Sequence, residues 1–144
     1  MFSKASEYAI RASIYIARQS LEGLRASLTG IAQEIGSPTA FTSKILQQLV
    51  KAGIIYSTRG QTGGFGIDPT VMRNSTIGDI VSAIEGDAIY TSCGLGLTEC
   101  SPDKPCPVHE KFVSIREDLK KVLETTTIEE LAMGLKDGLT YLKR

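Results

Sequence analysis

Apolar residues recur at helical spacing over residues 4–20, where Tyr8, Ala12, Tyr15 and Ile16 share one face behind Ser3, a suitable N-cap. After the polar break LEGLRA, Ser27 can cap a second helix with Leu28, Ile31, Ala32 and Ile35 inward, and Gly36 ends it. Ser37-Pro38 opens a third helix, with proline at the first helical position. It runs to about Lys51 on a stripe of Phe41, Ile45, Leu46, Leu49 and Val50, and Gly53 stands where a C-terminal cap belongs. The period then changes. Residues 54–57 read as a short strand, RGQTGG as a turn and residues 65–67 as the returning strand.

Residues 68–75 read as a connector. Thr76 then caps a helix to about Glu85, with Ile77, Ile80, Val81 and Ile84 inward, and Gly86 stops it. Residues 87–108 have no periodicity and are rich in Gly, Pro and Ser, and so long a stretch without structure of its own asks for a purpose. From His109 to Glu124 an amphipathic helix carries Phe112, Ile115, Leu119, Val122 and Leu123 on one face. Thr127-x-x-Glu130 is a capping box opening a last helix with Ile128, Leu131, Leu135, Leu139 and Leu142.

This order predicts a mainly α chain with a small β-hairpin wing. Residues 1–75 form a winged helix-turn-helix DNA-binding domain, and residues 76–144 supply the loop and dimerisation helices. In that arrangement the second helix of the turn motif enters the major groove, and the wing touches backbone or minor groove. The recognition helix offers Thr39, Thr42, Ser43, Lys44, Gln47 and Gln48, whose hydroxyls, amides and ammonium can bond base edges or phosphates. The wing adds Arg59 and Gln61 beside glycines that permit close backbone approach. The stripe on residues 109–124 either packs back on its own chain or pairs with a second copy. A homodimer is expected, because two half-sites about one helical turn apart require two-fold symmetry.

Composition changes this picture in one respect. With 42% hydrophobic and 22% charged residues, the 144-residue chain suits one soluble domain or a small domain with an added segment. No apolar run reaches the roughly 18 residues of a membrane span, and the N-terminus MFSKASEYAI carries an acid, so a cytoplasmic protein without membrane association is expected. Net charge is zero, yet residues 1–75 hold eight basic against four acidic side chains, and the acidic excess lies in the remainder. A basic first half fits an anionic partner, here double-stranded promoter DNA.

All the soft donors lie in one stretch. Cys93, Cys100, Cys106 and His109 are the only cysteines and the only histidine of the chain, spaced Cys-x6-Cys-x5-Cys-x2-His. Thiolates with an imidazole suit an iron–sulfur cluster or zinc. Zinc sites usually contain a Cys-x2–4-Cys knuckle, and redox enzymes a Cys-x-x-Cys, and neither occurs here. A nucleophilic cysteine beside His109 and three plain reduced thiols are the other readings. No substrate-pocket signature accompanies them, so a non-enzyme is expected.

SEYAIRASIYIA, the turn motif with KILQQLVKAGII, the wing STRGQTGGFGI, the helix TIGDIVSAIEG and three cysteines before a long helix leading to TTTIEELA closely resemble the Rrf-two family of bacterial winged-helix repressors, over nearly all of residues 2–132. The resemblance implies a dimeric DNA-binding regulator with an iron–sulfur cluster in each subunit, two-iron in preference to four-iron and lost in air. IscR-like members add a histidine three residues past the last cysteine, an offset that Cys106 and His109 keep. NsrR-like members instead recruit an acid near the partner's N-terminus, which here would be Glu7 of the partner subunit. The Cys93–Cys100 gap is one residue longer than in IscR-like members, and some family members carry no cluster. A structural zinc or a cluster-free thiol loop answering another signal is therefore the alternative.

Overall fold

Helix α1, Lys4–Leu21, starts where the Ser3 side chain accepts a hydrogen bond from the Ser6 N–H at 3.1 Å. Its buried face is built from small residues, Ser6, Ala9, Ala12, Ser13 and Ala17, with Ile14 and Ile16 as its larger buried side chains. Little side-chain bulk lets several helices approach α1 closely, and α2, α3, α5 and α8 pack on it. The structure, a computed structural model, describes residues 1–143.

Helix α2, Leu28–Ile35, begins at the expected cap, with Ser27 accepting from the Gly30 N–H at 3.0 Å. It ends on Gly36, whose φ of +65° is the left-handed conformation that glycine adopts without strain. Helix α3, Thr39–Lys51, starts one residue later than expected: Pro38 is the N-cap rather than the first helical residue, and it offers no side-chain cap. The Thr42 hydroxyl donates back to the Pro38 carbonyl at 3.0 Å, which satisfies that hydroxyl and leaves the first N–H groups without a side-chain cap.

The wing is shorter than expected. Strand β1, Tyr56–Thr58, pairs antiparallel with β2, Gly64–Gly66, in the register Tyr56↔Gly66. Ile54 and Ile55 are not strand residues, because the chain leaving Gly53 turns both into the core. A bridge between Ala26 and Phe65, with N–H···O distances of 3.0 and 2.8 Å, fastens the wing to the α1–α2 connection.

Residues 68–75, expected as a connector, contain helix α4, Pro69–Asn74. Asp68 caps it by accepting from the Thr70 N–H at 2.9 Å, and Pro69 fills the first helical position, where a missing N–H costs nothing. Helix α5, Ile77–Glu85, opens with a complete capping box between Thr76 and Asp79. A one-turn helix α6, Ala88–Thr91, interrupts the expected loop, and its Tyr90 hydroxyl lies over Gly78, where a Cβ would meet it at 3.2 Å. Helix α7 spans His109–Thr125 and α8 spans Ile128–Lys136. Helix α8 stops short of Leu139 and Leu142 because Gly138, at φ +71°, terminates it, and Leu139 is left 77% exposed.

One apolar core runs through these elements. Ile16, Ile31, Ile35, Ile45, Leu46 and Leu49 come from the first three helices, and Ile80, Ile128 and Ala132 join them from α5 and α8. Burying each large side chain contributes roughly 1.5–3 kcal/mol. A short main-chain strap also ties the start of α5 to the α7–α8 junction, with Ile77 N–H donating to Thr126 O at 3.1 Å and Ile128 N–H to Ser75 O at 2.9 Å. Helix α7 itself is the outlier: only His109 and Leu123 along it are buried.

Candidate functional site

Two surfaces collect the chemistry. The first is the α2–turn–α3 unit with the wing. Thr39, Lys44, Gln47 and Gln48 stand exposed on α3, while Ser43 is half-buried and accepts from Gln47 Nε2 at 3.4 Å. Thr42 is a correction: expected on this face, it is fully buried, three residues before Ile45 and seven before Leu49 on the inward stripe. Phe41 and Val50, expected inward, are both partly exposed. Phe41 instead packs edge-on against Tyr8 at 5.8 Å between ring centroids, and Arg11 lies 5.1 Å over that same Tyr8 ring. The ring pair braces α3 against α1, and Arg11 caps the Tyr8 ring from within α1.

At the wing, Arg59 and Gln61 are exposed near the tip. Arg25, which sequence reasoning did not single out, reaches across from the α1–α2 connection, donating to Thr62 O at 3.4 Å with its guanidinium 5.8 Å from the Tyr56 ring centre. Arg11, Arg25, Lys44, Lys51 and Arg59 form no ion pair among the described residues. Uncompensated cations beside hydroxyls and amides on a helix and hairpin form a surface suited to a phosphate backbone.

The second surface is the cysteine loop at the N-terminal end of α7. Cys93 is buried just after α6. The backbone N–H groups of Leu95 and Leu97 point at its sulfur and hold it below the ordinary thiol range. The neighbouring Cys106 thiol and the Gly96 N–H act in the same direction, while burial opposes them. Gly96 makes the tight turn possible at φ +74°, and Gly94 passes so close to the Phe112 ring that a Cβ there would lie 2.7 Å from it. His109 opens α7, is only 8% exposed, and places Nδ1 3.5 Å from Cys100 Sγ. Arg116 supplies the remaining contacts, donating from Nη2 to Cys100 Sγ at 3.1 Å and from Nη1 to the Ser92 carbonyl.

The expected four-donor set is thus brought together only in part. Cys93 neighbours Cys106 and Cys100 neighbours His109, but among the described residues no three His, Cys, Asp or Glu side chains converge closely enough to hold a metal ion. Glu7 sits in the first turn of α1, where the Lys4 ammonium 2.9 Å away holds its carboxyl below the usual range. The donor chemistry fits a thiolate-bound group, as do the N–H groups around Cys93, since such donors stabilise sulfur that carries negative charge. Cys100 contacts Arg116 and His109 rather than the other two sulfurs. Arg116 was missed by the sequence reading, although its position seven residues after His109, two helical turns along the same face, was visible there.

The expected dimerisation stripe divides in two. Leu123 is a correction: at 2% exposure it packs inward against α5, with its carbonyl beside Gly78. Ile115 and Val122 are 58% and 55% exposed, Phe112 is partly exposed and Leu119 half-buried, so these four form an uncovered apolar row. Among the described residues no helix is long and apolar enough to cross a membrane.

The model of the Rrf2 family, described as "Iron-dependent Transcriptional regulator", matches residues 2–134. A helix-turn-helix-type transcriptional regulator of Aquifex aeolicus is 33% identical over 136 residues, covering 91% of this chain and 90% of that protein. The helix-turn-helix-type transcriptional regulator CymR of Bacillus subtilis is 30% identical over 132 residues, covering 90% and 88%. Among solved structures, CymR, the global cysteine regulator of B. subtilis, superposes with a TM-score of 0.72 at 28% identity, covering 92% of this chain and 96% of that one. An IscR structure from T. potens shares the fold, with a TM-score of 0.73 at 20% identity over 97% and 91% of the two chains.

Proposed function

From the premise that this chain belongs to the Rrf2 family of DNA-binding transcriptional regulators, we propose that it works in the cytoplasm as a homodimer whose promoter affinity is set by an iron–sulfur cluster in the cysteine loop. The observation that carries the cluster reading is the gathering of every cysteine and the only histidine at one end of α7, with backbone N–H groups turned onto the Cys93 sulfur. Cys93, Cys100 and Cys106 are the ligands, with His109 or Glu7 of the partner subunit as the fourth, and a two-iron cluster is the form we favour. The bound group supplies a charge and a coordination constraint that oxidants, nitric oxide or iron loss remove. The chain's own part is to convert loop order into helix position. The loop leads directly into α7, and the strap at Thr126–Ile128 leads from α7 to α5 and α8, both packed on α1. Protein purified without oxygen tests this directly. A brown chromophore whose removal changes promoter affinity supports it, and a colourless protein carrying zinc or no metal overturns it.

For DNA, Thr39, Ser43, Lys44, Gln47 and Gln48 enter the major groove and Arg59 and Gln61 meet the backbone; Thr42 has no part in it. Arg59→Ala is expected to weaken binding to all sequences alike and to flatten the salt dependence by about 0.9 in log–log slope for each half-site. Affinities measured across a salt series check this, and an unchanged slope removes Arg59 from the interface.

Phe112, Ile115, Leu119 and Val122 meet their copies in the dimer. Ile115→Glu places a charge on a residue that is 58% exposed, so the protomer fold is expected to survive while the dimer dissociates. Light scattering should then report a monomer, and promoter affinity should fall by roughly a hundredfold once the two half-sites are no longer linked.

One contact favours a second reading. A guanidinium 3.1 Å from the Cys100 sulfur also fits a cluster-free thiol loop that answers oxidant. The same purification separates the two, since a thiol switch is colourless and responds to oxidant without metal.

A further inference from the structure

The sulfur and imidazole donors stand in two pairs, and Arg116 grips one member of the second, Cys100. We propose that Arg116 is a latch that fastens the cluster-free loop to α7 and must release Cys100 before a metal is bound; this rests on reading Cys100 as a metal ligand. Arg116 is a positioning residue in this scheme and is not itself a ligand.

The geometry has three parts. Ser92 caps α6 immediately before Cys93, and Cys100 lies seven residues after Cys93. The two ends of this segment are bound by one planar guanidinium, through the Ser92 carbonyl and the Cys100 sulfur. Arginine suits both acceptors because its two Nη atoms sit in a rigid planar fork, one turned to each. The fork is carried by α7, on the face that also carries His109, so the loop is fastened to the same helix that presents the exposed apolar row.

The contact also competes with ligation. A metal ion approaching Cys100 meets a fixed positive charge 3.1 Å from the sulfur, and two cations at one sulfur repel each other. Capture of Cys100 therefore moves the guanidinium aside. That movement frees the Ser92 carbonyl as well, since both bonds belong to one rigid group. Loading the site and unfastening the loop from α7 become a single event. The route from site to helix then runs through a side chain as well as through the chain direction.

Arg116→Gln tests the latch, with two measurements on reduced protein handled without oxygen. In the metal-free protein, hydrogen exchange at the Gly96 amide, which bonds the Cys93 carbonyl, should speed up by about tenfold while α1 and α3 amides keep their wild-type protection. Titration with cobalt(II) alone, followed by thiolate–cobalt absorption, should show about tenfold tighter binding in the variant, equivalent to roughly 1.4 kcal/mol. A residue that merely shaped the loop would give the opposite sign, because a looser loop binds metal more weakly. Unchanged exchange, or cobalt bound equally or more weakly while wild type still shows the absorption, overturns the latch alone. No thiolate–cobalt absorption in either protein overturns the metal reading, and the latch falls with it.

Discussion

Cys106→Ala is expected to abolish the visible chromophore of anaerobically purified protein and to collapse promoter affinity in its reduced, oxidised and cluster-free states to one value. In the wild type those states should differ by roughly 5–150-fold, the usual range of a coupling free energy between two sites. Cys106 is half-buried at the end of the loop and outside the apolar core, so the change in folding stability should stay near about 0.5 kcal/mol. That separation matters, because a variant that lost regulation by unfolding would prove nothing. Electrophoretic shift or anisotropy titrations on one promoter, in each state, decide the matter. Should the variant still bind differently in the three states, the cysteine loop is not the sensor.

A second large effect is expected at the wing. Gly64 adopts φ +136°, and a Cβ there would stand 2.7 Å from the Ala26 carbonyl oxygen and 3.2 Å from its carbon. Both neighbours are main chain, so nothing can swing away. Gly64→Ala must therefore push β2 off the Ala26–Phe65 bridge, losing two hydrogen bonds worth about 1 kcal/mol each in addition to about 1–3 kcal/mol of backbone strain. A fall in melting temperature of roughly 10–15 °C follows for a chain of this length. DNA affinity should drop with it, because Arg59 and Gln61 are held by the hairpin that loosens and Arg25 loses its seat against Thr62. Thermal melts and binding titrations at fixed salt measure both, and wild-type values for the pair would contradict this account of the wing.

Much of the fold was legible in the sequence because helix ends are written in local chemistry. Ser3, Ser27, Thr76 and Thr127 are all observed caps, and Gly36 stops α2 as its position suggested. Residues 68–75 read as a connector, yet Asp68 and Pro69 supply an N-cap and a first helical position and open the short helix α4. Thr42 misled because a hydroxyl suggests a surface, yet its own helix offers it the Pro38 carbonyl and so makes burial affordable. Leu123 was assigned to the outer stripe by periodicity, but the inward face of α7 near its C-terminal end is decided by where α5 lies. The cysteines were conspicuous as a group, and their pairing was not. Which sulfur meets which partner depends on where Arg116 reaches, a long side chain whose target no spacing rule specifies.

The strap joining Ser75–Ile77 to Thr126–Ile128 has a consequence for how this molecule can change over time. Both of its hydrogen bonds run from main chain to main chain, so they do not depend on which side chains stand there. Ordinary substitutions at these positions leave the linkage between α7 and α5 in place. Proline is the exception, since at Ile77 or Ile128 it would delete a donor outright. The mechanical connection between the two ends of the protein is in this sense anonymous, able to persist while the residues around it drift.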